Sequence, residues 1–217
     1  MPLPFFKPLL AGATFSERLI ACLGAGVGIA LTYLAGTLAP HGTLPAIVAP
    51  LGASAVLVFA VPASPLAQPW PVIGGNTISA LVGIAVWRLL PDPAVAAGLA
   101  VAAAILVMSL LRCLHPPGGA AALTAVIGGA AVHGAGFGFA LVPVALNSLA
   151  LVVAGLAFHR LTRRSYPHRP VLAHKPASGI LPTDIDAALE EMHESFDIAR
   201  EDLDQLIARA QEHAAAR

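Results

Sequence analysis

The residues of this 217-residue sequence that could do chemistry are few, and they sit in apolar surroundings. His115-Pro116-Pro117-Gly118-Gly119-Ala120 joins a side chain that can donate, accept or titrate to two residues lacking a backbone donor and two that allow close backbone approach. Pro-Pro ends a preceding helix and suits the first positions of a new one, so the stretch reads as a helix N-terminus between two apolar runs. Pro50-Leu51-Gly52-Ala53-Ser54 has the same character. A helix N-terminus carries about +0.5 charge and orphan N–H groups, which in hydrocarbon must find protein, water or a ligand. The chemistry this predicts is binding of a small inorganic anion. Gly52, Ala53, Gly118, Gly119 and Ala120 are the candidate backbone donors, and Ser54, Asn76, Thr124 and Asn147 the candidate side-chain donors. The plainer alternative is that these polar residues bond neighbouring helices and that the half-helices are merely kinked.

His115 precedes a proline and is pushed towards extended geometry, which places its ring beside the helix mouth. A protonated imidazole there would help an anion bind, and a titrating one would couple binding to a proton. A neutral ring bonded to a backbone carbonyl is the alternative. Cys113-x-His115 is a weak metal signal with no second ligand pair nearby in sequence, so no metal or other cofactor is expected. No acidic pair, nucleophile elbow or phosphate loop supports catalysis.

The elements that position these residues are membrane elements. With 57% hydrophobic and 11% charged residues and a mean hydropathy of +0.79, the chain is too apolar for a soluble domain of this size. The zero net charge hides a segregation: residues 1–170 hold eight basic and two acidic side chains, and residues 171–217 four basic and ten acidic. A transmembrane domain to 170 and a polar tail from 171 follow, with no nucleic-acid partner indicated. Cys22 and Cys113 read as reduced packing residues.

In order along the chain, a retained first helix is expected over about 19–39, with Gly24, Gly26 and Gly28 forming a close-packing face. After Pro50 the apolar run is long enough for only about 16 Å of helix, so it is either re-entrant or joined to an unwound lead-in. A proline-rich connection with Trp70 at the interface leads to runs at 72–90 and 94–111, a fifth helix at 117–132, a glycine-rich loop at 133–137 and a sixth run at 139–158. Arg160, Arg163, Arg164 and Arg169, with Lys7 and Arg18, place both termini in the cytoplasm by charge bias.

Pro50-x-Gly52-Ala53-x-Ala55 matches Pro117-x-Gly119-Ala120-x-Ala122. Halves of about 12–91 and 92–164 follow, each a helix, a broken helix and a helix. If the broken elements cross, the second half is inverted and the site lies between discontinuous helices; if they re-enter, the halves are parallel. The fold expected is an all-α membrane protein with six hydrophobic helical segments, two of them broken or re-entrant, giving four to six spans with a two-fold internal repeat and an amphipathic helical tail.

With Ala53-Ser54-Ala55-Val56-Leu57, Ser64-Pro65-Leu66-Ala67-Gln68-Pro69, Val72-Ile73-Gly74-Gly75 and Leu114 to Leu123 in the same order, the sequence resembles the HPP family of integral membrane proteins, named for the motif seen here as His115-Pro116-Pro117. The resemblance implies a small multispanning protein, usually described with four hydrophobic spans, whose chloroplast and cyanobacterial members are associated with nitrite transport. The resemblance does not by itself assign a substrate; together with the helix mouths it gives the expectation of a bacterial inner-membrane protein that moves a small monovalent anion, with nitrite the best single guess from the family. Asn76 departs from the histidine expected after Gly-Gly in many relatives, which bears on selectivity or coupling. A membrane sensor or scaffold without transport activity is the alternative.

The tail reads as a linker over 165–182, then two short amphipathic helices or one bent helix, with Ile185, Leu189, Met192 and Phe196 on one stripe and Leu203, Leu206, Ile207 and Ala210 on another. Similar tails in the family can lead into nucleotide-sensing CBS domains; none is read through Arg217, so a role in homo-oligomerisation, as a dimer first of all, or in docking is expected. Deleting residues 171–217 should lower the oligomer mass measured in detergent; an unchanged mass counts against that role.

Overall fold

The structure is a computed structural model and describes residues 14–40, 42–169, 180–193 and 195–217. Lys7 and the linker positions 170–179 lie outside the described residues. The protein is an all-α membrane protein. Helix α1 (Phe15–Leu38) starts at a capping box, in which the Thr14 hydroxyl accepts from the Glu17 amide at 3.3 Å and the Glu17 carboxylate accepts from the Thr14 amide at 2.9 Å. Helix α2 covers Pro50–Ala60, α3 Asn76–Leu89 and α4 Pro93–Leu110. Asp92 caps α4 by accepting from Ala94 and Val95, each at 2.9 Å. Helix α5 runs Pro116–Ile127, α6 Gly129–Ala135 and α7 Leu146–Leu161. A π-helical stretch leads into α3 (Pro71–Gly75) and another into α7 (Ala140–Ala145), each with a proline and each followed closely by a buried asparagine, Asn76 or Asn147.

Four stretches are long and apolar enough to cross a bilayer: Phe15–Leu38, Pro71–Leu89, Pro93–Leu110 and Ala140–Leu161. The pair α5–α6 is a fifth if taken as one broken span. The single fifth helix expected to reach Val132 is instead bent by 97° at Gly128–Gly129, where Gly129 has φ +75°. The loop expected from His133 therefore begins inside α6. Two ring contacts fasten this short helix and the turn after it to the end of α3: Trp87 stacks on His133 with centroids 3.8 Å apart, and the Arg88 guanidinium lies 4.8 Å from the centre of the Phe137 ring.

Contacts between element ends fix the directions. Arg18, near the start of α1, donates to the Ala60 carbonyl at the end of α2 at 3.0 Å, while Gly36, near the end of α1, lies against the Ala46 backbone. The lead-in and α2 together therefore return from the far end of α1 to its near end. Trp70 at the entry to α3 donates to the Leu111 carbonyl at the exit of α4 at 3.1 Å. Helix α5 runs alongside α3 in the same direction, with Gly118 against Gly75 and Ser79, and Gly83 against Ala122 and Ala125. The Arg164–Glu17 ion pair, 3.3 Å, brings the end of α7 back to the start of α1. Six segments thus alternate in direction, and the order helix, broken helix, helix recurs inverted. Helix α5 follows α3 up to the 97° bend that turns α6 aside.

On α1 the buried residues Ala21, Gly24, Gly28, Thr32 and Gly36 form one stripe. Gly24 and Gly28 make room for the Phe59 ring, which meets Phe158 edge-on with centroids 5.4 Å apart. Gly26, expected beside them, faces open space. The polar ends of α2 are held by α7 and α1. Asn147 accepts from the Val48 amide at 3.1 Å and donates to the Ala46 carbonyl at 3.0 Å, while His159 donates to the Val58 carbonyl at 2.8 Å. Asn147 and His159 are separated by about 18 Å of helix, enough to brace α2 from end to end.

Beyond the bundle stand α8 (Pro182–Met192) and α9 (Arg200–Ala215). His168 reaches Asp202 at 2.9 Å and Ser64 donates to Asp197 at 2.7 Å, joining this region to the bundle. Of the two apolar stripes, Ile185, Leu189, Met192, Phe196, Leu203 and Ile207 line an open pocket of about 770 Å³. Replacing Asn147 by leucine strands the buried Val48 amide and the half-buried Ala46 carbonyl and should cost about 3 kcal/mol, read as a lowered unfolding temperature in detergent. Gly26→Ala should leave that temperature unchanged, and equal effects of the two would contradict the bracing role.

Candidate functional site

Around the start of α5 the chain gathers a group of buried polar side chains. Ser54, Asn76, Ser79 and His115 are all fully buried. His115 is the N-cap of α5 with φ −141° and ψ 108°, the extended geometry that a following proline imposes. Its Nδ1 lies 2.8 Å from the Leu66 carbonyl and its Nε2 2.8 Å from the Ser54 hydroxyl, and Asn76 Nδ2 donates to that hydroxyl at 3.1 Å. Donor and acceptor chemistry orders this chain. A carbonyl can only accept, so Nδ1 carries a proton; the Ser54 hydroxyl, whose oxygen accepts from the Asn76 amide, faces both Nε2 at 2.8 Å and the Pro50 carbonyl at 3.3 Å, and a neutral ring takes its proton on the shorter of the two. The carbonyl bond at Nδ1 is the one expected of a carbonyl-bonded histidine, and both the neutral and the doubly protonated ring can make it. Two polar atoms of the cluster, Asn76 Oδ1 and Ser79 Oγ, are buried with no hydrogen-bond partner, a costly condition in an apolar interior.

The helix mouths differ from expectation. Neither offers free backbone donors in its first turn. Pro116 and Pro117 have no N–H, and Gly118 N bonds the His115 carbonyl at 2.8 Å. In α2, Pro50 lacks a donor, while Leu51 N and Gly52 N bond Val48 and Ala49 carbonyls at 3.1 and 3.0 Å. Prolines and tight first-turn bonds have removed the orphans that would otherwise hold an anion. The two N-termini also do not meet tip to tip: the start of α5 meets Ser54, one turn into α2.

Of the candidate residues, the structure brings together His115, Ser54 and Asn76, with Pro117 and Gly118 buried against them. Asn147 is engaged with the α2 lead-in, and Thr124 donates to the Ala120 carbonyl of its own helix at 2.7 Å. Gly52, Ala53, Pro116 and Ala120 are exposed and Gly119 half-buried, on faces turned away from the cluster. The glycines that admit it are Gly75 and Gly118. A Cβ on Gly118 would stand 2.7 Å from Ser79 Oγ and 2.8 Å from Met108 Sδ, and one on Gly75 would meet the His115 Cβ. Ser79, Gly75 and the Leu66 carbonyl were not among the candidates. The signal for Ser79 was its place three residues after Asn76, on the same face of α3. Nothing in the sequence marks a carbonyl.

Residues 11–167 match the family model described as HPP, transmembrane region. The chain belongs to the HPP family. Two transmembrane proteins of Dictyostelium discoideum are similar, each 42% identical over 120 residues; the match covers 53% of this chain and 42% or 38% of the relative. The chain therefore spans less than half the length of these relatives. No solved structure matches it. Within this HPP chain the motif histidine is the N-cap of a broken helix and also the centre of the buried polar knot.

Gly118→Val should prevent the chain from packing, giving low yield and an aggregated profile in detergent. Gly119→Val, whose nearest neighbour would be Val101 at 3.8 Å, should purify like the parent. Equal behaviour of the two would show that close approach at Gly118 does not hold the site.

Proposed function

We propose that this HPP protein transports a small monovalent anion, with nitrite the best single guess, and that the anion travels with a proton. The observation carrying the reading is the Asn76 carboxamide, bonded on one side to the His115–Ser54 chain and unpartnered on the other. As it stands, the amide turns an acceptor towards its open side, which repels an anion. To receive one it must turn over and offer Nδ2–H. Its oxygen then faces Ser54, whose single proton goes to that oxygen, leaving His115 Nε2 opposite a lone pair. The ring resolves the conflict by taking a proton and donating to Ser54. Anion and proton therefore favour each other's binding, and each neutralises a charge that the apolar interior would tolerate poorly alone.

The surroundings support this pairing. Helices α2, α4 and α5 contain no charged side chain, and α3 has only Arg88 at its far end; Cys113 is the other titratable group beside the motif. No fixed charge on these elements replaces either partner of the ion pair. Nitrite is preferred through family association rather than through any contact. The second reading, a membrane sensor or scaffold, draws on the open apolar pocket between α8 and α9.

Proteoliposomes loaded with a pH dye and given nitrite, nitrate, formate or chloride test the proposal. Nitrite entry with one proton, insensitive to membrane potential and lost in His115→Ala and Asn76→Leu, is expected. Flux that carries net charge would remove the proton coupling while keeping transport, and no flux for any anion would remove transport itself.

A further inference from the structure

A second polar feature lies where α7 leaves the bundle. Leu149, Val153 and Leu156 form its exposed apolar face, and Arg160 continues the same line at its end. After Leu161 the backbone reverses, with Arg163 at φ 57° and the Arg164 amide bonded back to the His159 carbonyl at 2.9 Å. The returning strand is anchored by Tyr166, which is buried and donates to the Ala67 carbonyl at 2.9 Å; burial pushes this phenol above its ordinary range, so it stays a donor. Ser165 donates to the Pro167 carbonyl at 3.2 Å and accepts from the Arg169 amide at 3.3 Å, fixing the turn that carries Arg169 back. The result is a pocket of about 410 Å³ with Leu156, Ala157 and Tyr166 in its walls and Arg160, Arg164 and Arg169 around it.

Three cations gathered around one pocket repel one another unless an anion joins them. Arg164 is paired with Glu17 at 3.3 Å, whereas Arg160 and Arg169 have no carboxylate partner among the described residues. Guanidinium groups bind phosphate oxygens through paired N–H donors, and basic pockets at the ends of membrane helices are suited to anionic headgroups. The apolar wall decides between a free phosphate and a lipid, because it continues directly into the lipid-facing side of α7. We propose that this pocket binds the headgroup phosphate of an anionic phospholipid, with Arg160 and Arg169 as its ligands and an acyl chain lying along Leu156 and Leu149.

The full chain, purified in mild detergent and stripped of lipid, can be titrated in native mass spectrometry with dioleoylphosphatidylglycerol, dioleoylphosphatidylcholine or inorganic phosphate. Phosphatidylglycerol should bind preferentially, and Arg160→Gln with Arg169→Gln should weaken it about thirtyfold. Arg209→Gln, in the tail, should keep all of the affinity. Equal retention of the two lipids, an unchanged affinity in the glutamine pair, or displacement of phosphatidylglycerol by an equal concentration of inorganic phosphate would each overturn the proposal.

Discussion

A helix broken inside a bilayer must have its exposed peptide groups satisfied by protein, because the hydrocarbon offers them nothing. The rest of this structure depends on that constraint. Helix α2 is too short to cross, and its ends are held by side chains from helices distant in sequence: Asn147 at the entry, His159 and Arg18 at the exit. Helix α5 meets the same constraint locally. Its two leading prolines remove donors that would need partners, and Gly118 closes on the His115 carbonyl. Polar residues that look like a dispersed set of ligands are therefore divided between two tasks, holding broken backbone and forming one buried knot.

The two buried asparagines differ in one respect. Asn147 uses both sides of its carboxamide, whereas Asn76 uses one. A structural asparagine in hydrocarbon gains by satisfying both, so the open side of Asn76 is where function is sought. Its link to His115 through a single hydroxyl makes the state of the ring and the orientation of the amide mutually dependent. Gly75 and Gly118 give this link its geometry by letting α3 approach the start of α5 without side chains between them.

Much of the fold was legible in local chemistry. Pro50 and Pro116-Pro117 announce helix starts, the length of the following runs announces short helices, and the repeated pattern announces two halves. The 97° turn at Gly128–Gly129 was not legible, because alanine and valine continue on both sides and only the backbone of Gly129 reveals it. At the site, the involvement of His115, Ser54 and Asn76 could be read, since polar side chains in apolar runs need partners. Their particular bonds could not: Ser54 and His115 are 61 residues apart, and Asn147 and Val48 are 99 apart. The missing donors of the prolines could be read, but the tight first-turn bonds of Leu51, Gly52 and Gly118 to the preceding carbonyls could not. Together they shift the chemistry from backbone to side chains.

The central claim is that His115 is neutral at rest, with its proton on Nδ1, and gains a second proton when an anion reaches Asn76. Nitrogen-15 solid-state NMR of ring-labelled histidine in the reconstituted protein reads this directly. The account predicts an Nδ1–H neutral ring at neutral pH that becomes doubly protonated on saturation with nitrite. A resting ring protonated on Nε2, or one whose state does not change with nitrite, would contradict it.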